Sequence, residues 1–422
     1  MDVLCSLCIL SLIHVASSKP LMILYLDGFR WDYLDIHGEG LRGFPQLQRM
    51  GVQARHVMVD FPTLSLPNQY TFMTGLYNEY HGMVSDSMYD PDMTSQYFPM
   101  DVEPDPLWWR DAEPLWIAAE KQNKTSYFYH WPYCNVINHR VKATHCKLTT
   151  GITTAKKVLN AAEAGLSLLA NSTAELIGIF VDVGDSRAHR YGTNSTEVKS
   201  VIRNIDNTIN KILEMMRVQG LTEKVTLMVV SGHGITDVSR KRIIRIKNFV
   251  DTADVDIFIG RGAFLSVWPK PEKMNKVYNL LRGAHVNLTT YRKEDTPENW
   301  HFRHHPRIPP IVVVAEKGWT ILKKRSEELG NHGYDNNLPD MRGFFLVAGP
   351  DFKSSYVSDP IELVDVYQVI CKVLGMASSP HNGTWARVRG IFKSSSDKSA
   401  AGLPTLNLTI VGLCVSLIFR NE

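Results

Sequence analysis

Three continuous apolar runs punctuate the chain: Leu21 to Leu26 (LMILYL), Leu176 to Val183 (LIGIFVDV) and Val225 to Val230 (VTLMVV). Runs of this length without polar alternation predict strands covered on both faces, as in a parallel sheet lying between helices. Between the second and third lies TEVKSVIRNIDNTINKILEMMRVQG, where Val198, Ile202, Ile205, Ile209, Ile212 and Met216 recur at helical spacing and Gly220 supplies a stop. Strand, helix and strand of these lengths predict a right-handed crossover. The fold class is therefore α/β, with a mostly parallel central sheet flanked by helices. From about Arg240 to Lys323 the rhythm changes, with clustered Pro, a basic stretch Arg240 to Lys247 and the segment HFRHHPRIPP. That predicts a small inserted subdomain, its charges forming a solvated face, within one catalytic domain spanning 19–393.

The two ends point to the secretory pathway. Val3 to Val15 is too short to span a bilayer and is followed by Ala16, Ser17 and Ser18, the layout of a cleavable signal over residues 1–18. Cleavage removes Cys5 and Cys8. At the other end SSSDKSAAG (394–402) leads to an apolar stretch, Leu408 to Phe419, and a final Arg420, Asn421 and Glu422. Small residues, a spacer and a short terminal tail predict a GPI-attachment signal, hence the extracellular face of the cell surface; a spanning helix needs about 20 apolar residues. Sequons at Asn123, Asn171, Asn194, Asn287 and Asn382 fit a glycoprotein. Cys134 and Cys146 suit a small loop-closing disulfide in an oxidising compartment. Cys371, in an apolar helical pattern, reads as a buried thiol or as the bridge of a disulfide-linked homodimer.

Charge excludes one class of partner. Lys plus Arg number 46 against 43 Asp plus Glu, and a net +3 leaves no field suited to nucleic acid. With 28 Gly, 21 Pro and 6 Cys in 422 residues, collagen-like and disulfide-scaffold classes are excluded as well.

Candidate chemistry lies where the strands end, since ligands of open α/β sheets sit beyond the carboxyl ends of their strands. Asp27 follows the first run, Asp185 and His189 the second, and His233 the third. Asp185 and His189, four residues apart, share one face of a helical turn. Such oxygen and nitrogen ligands suit zinc. Asn331-His332-Gly333, ahead of the run Gly343 to Ala348, delivers a further imidazole. Within FPTLSLPNQYTFMTG (61–75), Ser65 alone would read as a helix N-cap. Beside metal ligands it becomes a candidate nucleophile, at a helix start that favours phosphate.

The segments LDGFRWDYL, FPTLSLPNQYTFMTGLYNEYHGM, MYDP, DSRAHRYG, SGHGITD, NHGYDN and DMRGFFLVAGPDFK run in order from about Lys19 to Trp385. Together they resemble the ectonucleotide pyrophosphatase/phosphodiesterase family of the alkaline phosphatase superfamily. PLWWRDAEPLW, YFYHWPYC and the short C-terminal region most resemble its choline-specific glycerophosphodiesterase member, with the sphingomyelin-cleaving member next. The resemblance implies two zinc ions. Asp185, His189 and His332 match the ligands of one; Asp27, Ser65 and His233 match ligands of the other, with Ser65 forming a phosphoryl-serine intermediate. The implied reaction is hydrolysis of glycerophosphocholine and lysophosphatidylcholine-type diesters to phosphocholine plus glycerol or monoacylglycerol. Sphingomyelin hydrolysis is an alternative, and nucleotide hydrolysis is disfavoured by the lack of extra domains.

Two positions depart from the family pattern. Ser-Asp-His-Gly reads Ser231-Gly232-His233-Gly234, which removes a carboxylate ligand of the second ion, and a phosphate-contacting Asn is replaced by Asp86. One expectation is that Asp86 supplies part of the missing charge. The other is an impaired homologue acting as a binding protein. For a choline headgroup, Tyr89 and Phe180 are the candidate aromatic walls, and Trp131, beside the Cys134–Cys146 loop, is a further candidate.

Overall fold

The computed structural model describes residues 18–93, 97–98, 105–138, 140–149, 151–321 and 327–394. The signal and GPI-attachment readings fall outside these residues, apart from Ser18 and Ser394.

Leu21–Leu26 forms the heart of an eight-stranded sheet, all six residues buried. It pairs in parallel with Leu176–Val181 on one side and Thr226–Val230 on the other, so the three runs read from the sequence are adjacent strands. The sheet order is Tyr356–Ser358, Val52–Ala54, Phe345–Ala348, Thr226–Val230, Leu21–Leu26, Leu176–Val181, Ser126–Tyr129 and His145–Lys147. Phe345–Ala348 is antiparallel to both neighbours. The second run is shorter than its apolar stretch because Val183 opens the helix Val183–Tyr191.

Alternation along the central strand divides the core in two. Leu21, Ile23 and Tyr25 pack with the helices Ser65–Thr74 and Leu363–Leu374. Met22, Leu24 and Leu26 pack on the other face with Ala155–Ala170 and Thr196–Val218. The last of these is the crossover helix. Its six apolar positions are buried, and Ser195 caps it by accepting the Val198 N–H at 3.2 Å.

Residues 255–315 build a separate antiparallel sheet, Val255–Arg261, Phe264–Pro269, Ile311–Ala315 and Leu288–Arg292, over its own core around Val267, Val277 and Val313. The charges of this region are not all solvated. Arg307, within HFRHHPRIPP, is 1% exposed and binds Asp90 at 2.9 Å, Asp111 at 3.1 Å and the Trp108 carbonyl at 2.8 Å. A guanidinium so enclosed ties this segment to Asp90, Trp108 and Asp111, which corrects the expectation of a solvated face at this position.

Cys134 and Cys146 are paired. Cys371 is 2% exposed on the Leu363–Leu374 helix. A thiol packed on the inner face of a helix cannot meet a second chain, so Cys371 is the buried thiol and the bridge expected from it is withdrawn. Asn123, Asn171 and Asn194 are exposed, while Asn287 and Asn382 are half-buried. The Asn382 side-chain oxygen accepts the Tyr77 N–H at 3.0 Å. No described helix is long and apolar enough to cross a membrane.

Candidate active site and metal centre

Because the three central strands are parallel, Asp27, Asp185 and His233 emerge at one edge of the sheet. Gly28 makes their approach feasible. It has φ +63°, and a Cβ there would lie 2.5 Å from Asp185 Oδ1. Only glycine tolerates both the left-handed backbone and a carboxylate packed over it.

Asp185, His189 and His332 present ligand atoms within 4.8 Å of one another. His189 Nδ1 lies 2.9 Å from the Gly330 carbonyl, and His332 Nδ1 lies 2.8 Å from the Thr63 carbonyl. Carbonyls only accept, so both Nδ1 atoms carry protons and both Nε2 atoms turn inward, 3.0 Å apart. His189 Nε2 is 3.4 Å from Asp185 Oδ2 and His332 Nε2 is 3.7 Å from Asp185 Oδ1; Oδ1 is buried without a hydrogen-bond partner. Two imidazoles fixed at Nδ1 by carbonyls and an orphaned carboxylate oxygen form a donor set that would suit a divalent cation of zinc type. The charges follow the same logic. Burial opposes ionisation of Asp185, but His189 outweighs it and holds the carboxyl well below its usual range. Burial likewise opposes charge on His189, yet Asp185 raises it to about 9. His332 is pushed down by burial and by the charge of His233.

His332 is set by a local network. Asn331 Oδ1 accepts the His332 N–H at 2.8 Å, and Thr63 Oγ1 accepts the Gly333 N–H at 2.9 Å. Thr63 therefore holds His332 through both its carbonyl and its neighbour, a role that nothing in its local sequence announces.

Ser65 opens the helix Ser65–Thr74, but Leu64 holds the N-cap position and the Ser65 side chain does not cap the helix. The Ser65 hydroxyl faces the strand ends instead, 3.1 Å from Asp27 Oδ2 and 3.0 Å from His233 Nε2. His233 Nε2 and Asp27 Oδ1 close the triangle at 3.0 Å. Asn68, one turn along, fixes the approach by donating to the carbonyls of Asp60, Pro62 and Leu64. Burial raises the Asp27 carboxyl, and it opposes charge on His233, which Asp27 nevertheless lifts to about 9.

The remaining sequence candidates are spread more widely. Asp86 Oδ1 accepts the Leu66 N–H at 2.9 Å, and burial raises this carboxyl to about 6. That places Asp86 at the start of the Ser65 helix, on an N–H that a phosphate oxygen could otherwise use. Gly232 lies between Ser231 and His233 and offers no ligand. Tyr89 is half-buried with its ring edge-on to Trp268, centroids 4.9 Å apart. Phe180 is 7% exposed and stacks on Tyr25 at 5.7 Å, the place of a core ring. Trp131 is fully buried, which corrects its assignment as a headgroup wall, since a ring without exposed surface cannot meet a ligand.

Residues 21–335 match the family described as type I phosphodiesterase / nucleotide pyrophosphatase. The chain belongs to that family. Human bis(5'-adenosyl)-triphosphatase is 32% identical over 423 residues, covering 96% of this chain and 91% of the relative. Human ectonucleotide pyrophosphatase/phosphodiesterase family member 5 is 33% identical, covering 89% and 79%. Mouse family member 7 is 27% identical, covering 96% and 94%. Among solved structures, the murine family member 5, an inactive threonine-to-alanine variant in complex with AMP, superposes with a TM-score of 0.83 at 32% identity, covering 89% of this chain and all of that one. This phosphodiesterase family and its alkaline-phosphatase-like α/β fold are those the sequence motifs implied; the first of these relatives is named for a nucleotide substrate, a bis-adenosyl triphosphate.

Proposed function

We propose that the protein is a phosphodiester hydrolase acting outside the cell, with Ser65 as nucleophile and a nucleotide-type phosphodiester or pyrophosphate as substrate. The observation that carries the reading is the Ser65 hydroxyl at 3.0–3.1 Å from both His233 and Asp27, at the start of a helix and beside the Asp185–His189–His332 set. Ser65 Oγ attacks phosphorus as its proton passes to Asp27 Oδ2, 3.1 Å away, and the P–O bond opposite the attack breaks, the leaving oxygen taking up that proton. Water then attacks the phosphoryl-serine, its hydroxyl staying on phosphorus and its other proton going to the Ser65 oxygen as the Ser65 O–P bond breaks. A divalent cation held by Asp185, His189 and His332 would supply positive charge to the phosphoryl oxygens. Support for the substrate class comes from the relatives, named for bis-adenosyl triphosphate and for nucleotide pyrophosphate. The half-exposed Tyr89–Trp268 pair offers a ring surface of the kind that stacks on a base or on a choline group.

Two other readings have support. Choline phosphodiester hydrolysis at a GPI-anchored surface rests on the sequence resemblance. A binding protein of low turnover rests on Gly232 together with Asp86 seated on the Leu66 N–H. Parallel kcat/KM measurements on diadenosine triphosphate, p-nitrophenyl thymidine 5'-monophosphate and glycerophosphocholine, with zinc added, separate the three. The proposal expects the nucleotides to exceed glycerophosphocholine by at least ~10-fold, about 1.4 kcal/mol in transition-state binding. The reverse order would favour choline, and binding without turnover of any would favour the binding protein.

A further inference from the structure

Position 232 is glycine because of space, not backbone. Its φ is not among the positive values of the chain, so any residue could adopt its conformation. An ideal Cβ there would lie 1.8 Å from the Tyr25 hydroxyl, 2.9 Å from Tyr25 Cζ and 3.2 Å from Asn68 Cβ. The hydroxyl fills the volume in which a 232 side chain would begin.

The ring cannot easily yield that volume. Tyr25 has no exposed surface and is wedged between Phe72 at 5.2 Å, Trp131 at 5.3 Å and Phe180 at 5.7 Å. Its strand is paired on both sides, Tyr25 opposite Phe180 and Val230. The hydroxyl is also buried without a hydrogen-bond partner, so it is not bonded to Asp27, Ser65 or His233. It occupies the space beside their triangle without joining it. That set is left with one carboxylate, Asp27, and one imidazole, His233, with Asp86 engaged by the Leu66 N–H. The second cation implied by the family pattern does not fit this chain as the first does.

We infer that Tyr25 and Gly232 are a coupled pair that closes the side-chain space beside Asp27, Ser65 and His233, so that the chain holds one cation, at Asp185, His189 and His332. Replacing Gly232 alone restores nothing, because the new side chain meets Tyr25 first. The two positions must change together.

The test counts ions and does not depend on turnover, so it is independent of the proposed substrate. The intact protein is equilibrated with zinc, and bound metal is measured by native mass spectrometry and elemental analysis alongside thermal melting. The wild type is expected to carry about one zinc per chain. Asp185→Asn should lose it and Asp27→Asn should retain it. Gly232→Asp should melt below the wild type and gain no ion, while Tyr25→Ser combined with Gly232→Asp should bind about two. Two ions or none in the wild type, loss of the ion in Asp27→Asn, a Gly232→Asp variant as stable as the wild type, or a folded double variant with one ion would each overturn the inference. If the double variant does not fold, the wild-type count and the two Asp→Asn variants decide.

Discussion

A single methyl group at Gly28 would have to share space with the Asp185 carboxylate, 2.5 Å from Oδ1 and 2.7 Å from Cβ, on a backbone with φ +63°. Gly28→Ala is therefore expected to destabilise the fold by roughly 1–3 kcal/mol and to weaken zinc binding by displacing a ligand. Calorimetric titration with zinc and thermal melting read the two effects. Unchanged affinity would show that the strand ends yield without moving Asp185. The sequence makes Asp-Gly visible as a turn and its Asp as a candidate ligand, because those meanings are local. Tyr25 is opaque for the opposite reason: in LMILYL it is one more strand residue, and its effect appears only when folding sets its hydroxyl against Gly232. Phe180 and Trp131 show the same limit, since an aromatic letter carries no statement of which way its ring is enclosed.

The elements that position the site were legible because burial on both faces leaves an unbroken apolar run, while one-sided burial leaves a helical period. Leu21–Leu26 and Thr196–Val218 meet those conditions and were found nearly to the residue. The antiparallel direction of Phe345–Ala348 was not legible, because strand direction depends on how the chain returns. Nor was the enclosure of Arg307, whose basic surroundings resemble a solvated face. Both Arg307 and Asp90 have side chains without exposed surface. Arg307→Leu would leave Asp90 buried and unpaired, with an expected loss of about 3–5 kcal/mol in denaturant unfolding. Asp111, the partly exposed partner, is opposed by burial but held below its usual pKa by His305 and Arg307. Its folded pKa lies below its unfolded one, so its contribution is complete above the unfolded value near pH ~4 and fades as pH falls through the folded value. Asp111→Asn should therefore lower stability at pH 7 and flatten its decline below pH ~4. A parallel decline in both proteins would remove Asp111 from the account.

For the whole molecule, the cation set ties together distant parts of the chain. Asp185 and His189 stand on the helix after one central strand, while His332 arrives from beyond the second sheet and is held by Thr63. A cation that binds only this folded arrangement stabilises it by mass action, about 2.7 kcal/mol at a hundredfold excess over Kd. Zinc should raise the melting temperature of the wild type in a concentration-dependent way and leave Asp185→Asn unmoved. An equal shift in both would place the ion elsewhere. The most direct test of the account concerns the nucleophile. kcat/KM for p-nitrophenyl thymidine 5'-monophosphate is measured for the wild type and Ser65→Ala, with matched zinc content and melting temperature as controls. The account predicts a loss of at least ~10³-fold in Ser65→Ala; a variant with wild-type turnover would contradict it.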